Sequence, residues 1–296
     1  MNIRLCIKTL AVATTFCLLP LTSATAQQLK HKVKALSASD AAALGGKTVA
    51  VTLQKRQSFV AMTAGKLQFG LLGAAAMVKV GNDFVEENAI PDPTIVIREQ
   101  LAAALHNGFG AHVLAADTDV TEVKKPAALA KRHPEADYVL AVQHTGWSYS
   151  YYPVSWGEYW VNNSVLVQLV DTKTGRLLSK GTCYASTFTH PVRLTRDQLH
   201  ANGAQLTKEV LTSLSWTCAQ ALAREQFKLP EDKIPTIPAE HVDPLARLLP
   251  NGAAPAPATP AATATEAVVE PAATPEPEPA SEAVVEPAAE PAPATP

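Results

Sequence analysis

Two hydrophobic rhythms run along this chain. Lys47 to Leu53 (KTVAVTL) is a β-branched run that reads as a strand. Lys66 to Val80 is rich in small apolar residues and reads as a helix, with Gly81 placed as its stop. Asp92-Pro93 then has the form of a helix start, an Asp cap followed by Pro at the first helical position. Ile97, Leu101 and Leu105 repeat every four residues on one face of that helix, and Gly108 closes it. A short strand is expected at His112–Ala115 and a short helix at Pro126–His133. Asp137–Val142 (DYVLAV) reads as a buried strand running on toward Tyr151.

In the second half the period is two. Trp156–Asp171 and Arg176–Phe188 read as long strands, joined at Asp171-Thr-Lys-Thr-Gly175 by a hairpin turn in which Gly supplies a positive φ. Thr195-Arg-Asp-Gln198 is a capping box. It opens a helix through Leu199, Leu206, Val210, Leu214, Cys218 and Leu222 to about Phe227. The order β-α-α-β-α-β-β-β-α favours parallel pairing first and an antiparallel meander afterwards. The expected fold class is α/β with α+β character in the second half: one mixed sheet covered by helices. Its expected bounds are 45–228, after an N-terminal extension at 27–44 and before a proline-punctuated linker at 229–250.

Composition changes the picture at both ends. Arg4 and Lys8 precede an apolar run from Leu10 to Leu21, and Ala24-Thr-Ala26 follows. This is the form of a secretory signal peptide, residues 1–26, cut after Ala26. The expected location is therefore periplasmic or secreted. The apolar run is shorter than the roughly 20 residues a membrane span needs, so no span is expected in the mature chain. Residues 251–296 hold 11 prolines, seven Glu and no aromatic residue, and the segment Glu266–Ala273 recurs at Glu282–Ala289. That composition cannot bury enough apolar surface to offset the entropy of ordering, so a disordered tail is expected. With a formal net charge of −2 overall, no nucleic-acid partner is expected.

Catalytic and cofactor motifs are wanting. Gly45-Gly46-Lys47-Thr48 lacks the earlier glycine and the preceding strand of a phosphate-binding loop. Gly108-Phe-Gly110 follows a helix where a dinucleotide fingerprint must precede one. The sequence contains no Gly-x-Ser-x-Gly and no His-Glu-x-x-His. Neither a cofactor nor a metal site is expected, and no catalytic residue is assigned. Cys183 and Cys218 are the two cysteines left after signal removal, and an even count in an oxidising compartment points to a disulfide. Two separate buried thiols, or a Cys183–His190 thiol–imidazole pair, are the alternatives.

One stretch stands above this background. Trp147, Tyr149, Tyr151, Tyr152, Trp156, Tyr159 and Trp160 fall within 14 positions. Alternation places Trp147, Tyr149 and Tyr151 on one strand face, and Pro153 ends the ladder. The bland reading is cross-strand packing. The functional one is a binding surface, since Trp and Tyr offer large contact areas with few rotamers. Tyr152, Trp156 and Trp160 are expected to face outward. A second apolar stretch, Leu67–Val78, has no charge and contains Gly70 and Gly73. It packs in the core or meets a membrane surface or another copy.

Further residues carry a resemblance. Phe59-Val-Ala-Met-Thr-Ala-Gly-Lys66, Phe69-Gly70, Gly73-Ala74, Gly81-Asn82 and Glu86-Glu87-Asn88 resemble an exported bacterial family of unassigned activity, as do Trp147-Ser148-Tyr149 and Asp171-Thr-Lys-Thr-Gly-Arg-Leu-Leu178. Its members are often lipoproteins. This chain departs from them, because Cys6 follows Leu5 and Cys17 follows Phe16, where a lipobox needs a small residue. The element order is also similar to that of the periplasmic α/β domains of curli-secretion and penicillin-binding-protein activator lipoproteins. Neither resemblance brings catalytic residues. The expected function is a non-enzymatic periplasmic interaction module, an envelope assembly or regulatory factor contacting an envelope protein or cell-wall glycan. The alternatives are a membrane-surface or oligomer-forming component acting through Leu67–Val78, and a cell-wall enzyme in which Glu158, His144 or His190 converge.

Overall fold

A computed structural model describes residues 27–67 and 70–249. The expected signal peptide, its cut after Ala26 and the acidic tail lie outside the described residues. Contacts divide the chain into Met1–Ala258 and Thr259–Pro296, and all described residues lie in the first unit.

In chain order the elements are β1 (Gln28–Lys34), α1 (Ala38–Ala42), β2 (Thr48–Val51), β3 (Leu53–Gln54), β4 (Phe59–Met62), α2 (Ala64–Leu67), α3 (Gly70–Glu87), α4 (Thr94–Phe109), β5 (His112–Val113), β6 (Val120–Thr121), α5 (Pro126–Arg132), β7 (Tyr138–Tyr152), β8 (Ser155–Asp171), β9 (Leu177–Ser186), β10 (Leu194–Thr195), α6 (Arg196–Glu225) and α7 (Ala239–Val242). They build the expected mixed sheet, in the order β1-β9-β8-β7-β2-β5, with β10 added to β8 and β4 to β7. Strands β2, β4, β5 and β7 run parallel, and β7, β8, β9 and β1 form the antiparallel half. β3 and β6 form a separate parallel pair.

Helices α3, α4 and α6 cover one face. Ile97, Leu101, Leu105, Val210, Leu214 and Leu222 pack there on Val161, Val165, Val167 and Leu169. On the other face α5 covers a patch, Leu129 and Ala130 lying on Ala50, Val139, Ala141 and Val170. A disulfide joins Cys183 of β9 to Cys218 of α6, with Cα atoms 5.7 Å apart. It fastens the longest helix to the sheet and excludes the thiol–imidazole reading.

Several local expectations are corrected. Gly81 does not end α3 but lies inside it, where a Cβ would come within 2.1 Å of the Phe59 carbonyl oxygen. Glycine serves here as the point where helix and strand β4 touch. Asn82 reinforces the contact, its Oδ1 accepting from the Phe59 N–H at 3.0 Å. Helix α4 starts one residue later than expected, and Asp92 caps it from outside by accepting from Thr94 N–H at 2.9 Å. The helix closes at Gly110 rather than Gly108. The capping box at Thr195 is present, but α6 breaks at Ala201–Ala204, where Asn202, Gly203 and Ala204 take left-handed conformations. Asn-Gly is a turn signal, and here it interrupts the apolar repeat.

The chain outside 45–228 is also more structured than expected. Gln28–Lys34, within the expected extension, pairs with β9 along its whole length. In the stretch expected as a linker, Leu229, Ile234 and Leu245 are buried in the main core. The prolines there stop helices without preventing packing.

Candidate functional site

The aromatic stretch forms the β7–β8 hairpin, with Pro153 and Val154 at its tip. Its aromatics divide between the two sides of the sheet. On the helix side Trp147, Tyr149 and Tyr159 are buried. The Phe59 ring meets Trp147 edge-on at 5.0 Å, and Tyr149 meets Phe84 and Tyr159 edge-on at 5.7 and 5.5 Å. The Trp147 indole N–H donates to the Gln57 carbonyl at 2.9 Å, which meets the one polar demand of a buried indole. Tyr151 is partly buried against the same core. These residues are the packing of the domain.

The opposite side carries a second cluster. Tyr152 stacks on Phe188 at 5.4 Å, and Trp160 meets both rings edge-on at 5.0 and 4.9 Å. The Arg193 guanidinium lies over Tyr152, 4.4 Å from the ring centre. The expectation that Tyr152 faces outward is therefore corrected: the loop after β9 folds over it, and its hydroxyl donates to the Phe188 carbonyl at 3.0 Å. Burial raises its pKa. Trp160 is half-buried. Trp156 is the one exposed member of the expected trio, its indole N–H donating to the Pro153 carbonyl at 3.2 Å.

Strand register gathers the exposed apolar residues at this end. Met62 of β4 pairs with Ser150, near the hairpin tip. Helix α3 returns from that end to lay Gly81 on Phe59. The ten residues from Gly81 back to Leu71 climb about 15 Å, whereas Phe59 to Met62 climbs about 10 Å. Leu71 and Leu72 therefore lie beyond Met62, toward the tip. Their exposures are 91% and 81%, against 85% for Val154 and 64% for Trp156. Phe188, beyond the end of β9, is exposed at the same end. Lys66 lies there too, its pKa lowered by burial and by Arg196.

Below the tip, the side of the sheet away from α3, α4 and α6 is open where α5 does not reach. Asn162, Ser164 and Leu166 of β8, Ser148 of β7 and Tyr184 of β9 are half-buried there, and Thr182 is exposed. Asn162 Nδ2 donates to Ser148 Oγ at 2.6 Å, and the Thr145 and Ser164 hydroxyls lie 2.8 Å apart. At the β1 margin stand the exposed residues Lys30, Lys32, Lys34 and Lys180.

The three groups named for a possible enzyme have separate partners. Glu158 is partly exposed and accepts from Arg193 at 3.1 Å. His190 lies 3.3 Å from Asp243. There burial would raise the Asp243 pKa, but the His190 bond and charge and two backbone donors hold it below the ordinary value. His144 is buried on the helix side, with Nε2 3.0 Å from Asn163 Oδ1 and Nδ1 3.9 Å from Asp92. Asn163 Nδ2 in turn donates to Ser215 at 3.1 Å. Burial holds His144 below the usual histidine value despite the pull of Asp92. Among the described residues no group of three or more His, Cys, Asp or Glu is placed to hold a metal.

Sequence reasoning missed Phe188, which lies outside the aromatic stretch, and the open face, whose hydroxyls carry no motif. No protein-family model matches the chain, and no curated protein matches it. Similar solved structures include the PelC dodecamer from Paraburkholderia phytofirmans, 18% identical with a TM-score of 0.33, covering 68% of this chain and 99% of that one. Lipoprotein GNA1162 from Neisseria meningitidis is 15% identical with a TM-score of 0.21, covering 54% and 92%.

Proposed function

We propose that this protein is an exported, non-enzymatic interaction module of the cell envelope, and that the tip end of its sheet is the contact surface. The observation that carries the reading is the gathering of Leu71, Leu72, Val154 and Trp156, all strongly exposed, from two separate segments at one end of the sheet. Single exposed apolar side chains need no explanation, but a group at one end does. Export is supported by the signal-type N-terminus and by the Cys183–Cys218 disulfide, which belongs to an oxidising compartment.

The occupant we assign to this end is a membrane surface. The four side chains belong to a helix start and a hairpin tip, and each is largely exposed. A Trp beside aliphatic residues suits the headgroup boundary. Lys66 and Arg196 stand nearby to meet anionic headgroups. None of the helices among the described residues is long and apolar enough to cross a membrane, so the contact would be peripheral. Flotation of the chain starting at Gln27 with phosphatidylethanolamine–phosphatidylglycerol vesicles tests this. Binding that disappears on Leu72→Ser with Trp156→Ser supports the reading, and vesicle binding indifferent to both overturns it. A second reading, contact between copies through Leu71 and Leu72, predicts instead a sedimentation coefficient that falls in Leu72→Ser without vesicles present.

A further inference from the structure

We propose that the open face of the sheet binds an anionic polysaccharide. The face is distinct from the tip, and the inference stands whether or not the tip meets a membrane. Register lays it out as a grid. Across the strands Ser148 pairs with Asn162, Ser164 with Tyr184, and Tyr184 with Lys30. Along β8 the side chains on this face are Trp160, Asn162, Ser164 and Leu166, a run of about 20 Å. From β7 to β1 the face is four strands wide, about 14 Å. That is a flat strip long enough for a stretch of polymer.

The side chains fit a glycan better than a protein. A protein interface centres on apolar and aromatic residues with a polar rim. Here the centre is mostly hydroxyl and amide, with Leu166 as its aliphatic member, Trp160 toward the tip and Tyr184 toward the edge. Serine, threonine and asparagine pair with sugar hydroxyls as both donor and acceptor, and aromatic rings offer a face to the apolar side of a pyranose. Short side chains also leave the sheet uncovered, where an ordinary solvated face would carry long Lys and Glu.

Charge specifies the ligand further. Lys30, Lys32 and Lys180 have no acidic partner among the described residues, and β1 and β9 contain no Asp or Glu. A surface pocket of about 300 Å³ opens between these strands, lined by Lys32, Val33, Lys34, Lys180 and Thr182. A carboxylate-bearing sugar beside Tyr184 would meet these ammonium groups. Single-stranded nucleic acid needs cations along the whole strand path, whereas here they occupy one margin.

The test uses the chain beginning at Gln27 and fluorescent oligogalacturonate, with dextran, poly-glutamate and oligothymidine of similar length as comparators. Oligogalacturonate should bind most tightly. Tyr184→Ser should weaken it about tenfold, the loss of one stacking contact, with the melting temperature unchanged. Lys30→Glu with Lys32→Glu should weaken it at least as much, and Lys131→Glu, on α5, should not. If Tyr184→Ser lowers the melting temperature, Thr182→Glu at an exposed position of the same face gives the equivalent reading. Trp156→Ser should leave glycan binding intact, which separates a failure here from a failure at the tip. Equal binding of poly-glutamate, tighter binding of oligothymidine, indifference to the open-face variants, or no binding would each overturn the proposal.

Discussion

Trp147 and Trp156 occupy one hairpin, nine residues apart, and live in opposite environments. Trp147 lies buried against Phe59 and His144, with its indole N–H satisfied by a backbone carbonyl. Trp156 stands in solvent just beyond the tip. The difference is where the helices end. Three helices cover one side of the sheet, and no described helix covers the tip or the upper part of the other side. Aromatic density alone therefore does not mark a binding surface: most of the stretch is core, and its exposed remainder derives its meaning from Leu71 and Leu72 on a different element.

Truncation on the covered side has the largest expected effect. Trp147→Ala or Tyr149→Ala should destabilise the domain by about 3–5 kcal/mol, as large aromatic deletions in packed cores do, read by urea unfolding. A cost below about 1 kcal/mol would mean the hairpin is not packed under the helices. Next in size is the disulfide. Replacing Cys183 and Cys218 together by Ala removes a 35-residue closure worth roughly 3–4 kcal/mol on the chain-entropy model, and the melting temperature should fall by roughly 10 °C. Thiol labelling of the denatured, unreduced protein should find neither cysteine free.

Legibility in the sequence divides along the same line. The long strands β7, β8 and β9, the Gly175 turn and the Thr195 capping box were readable because each depends on local chemistry. β4 escaped as a strand because its four residues, Phe59–Met62, are too few to establish a period. Gly81 was misplaced because a glycine inside a helix and one after it look alike in sequence; only the strand passing beneath separates them. Which aromatics face solvent was not readable, since alternation gives two faces without saying which one the helices cover. Tyr152 shows the limit: the loop that buries it comes from residues 187–188, far along the chain.

A smaller effect follows from the buried imidazoles. Burial holds His144 and His200 below the 6.5 of an ordinary histidine. As pH falls the unfolded chain takes up these protons first, so stability should be full above about pH 7 and decline below about 6.5. His144→Gln, which can keep an amide near Asn163, should make that decline shallower in urea unfolding at pH 7 and pH 5.5. An unchanged slope would place the loss elsewhere.

The smallest expected change in stability belongs to the tip, and it carries the main claim. Leu72→Ser with Trp156→Ser should shift unfolding by no more than about 0.5 kcal/mol per site, as exposed substitutions do. The deciding measurement is vesicle flotation of that double variant beside the parent chain, with melting curves on the same samples. The parent should float with anionic vesicles, and the variant, equally stable, should stay behind. A parent that does not float, or a variant that floats as well as the parent, would contradict it.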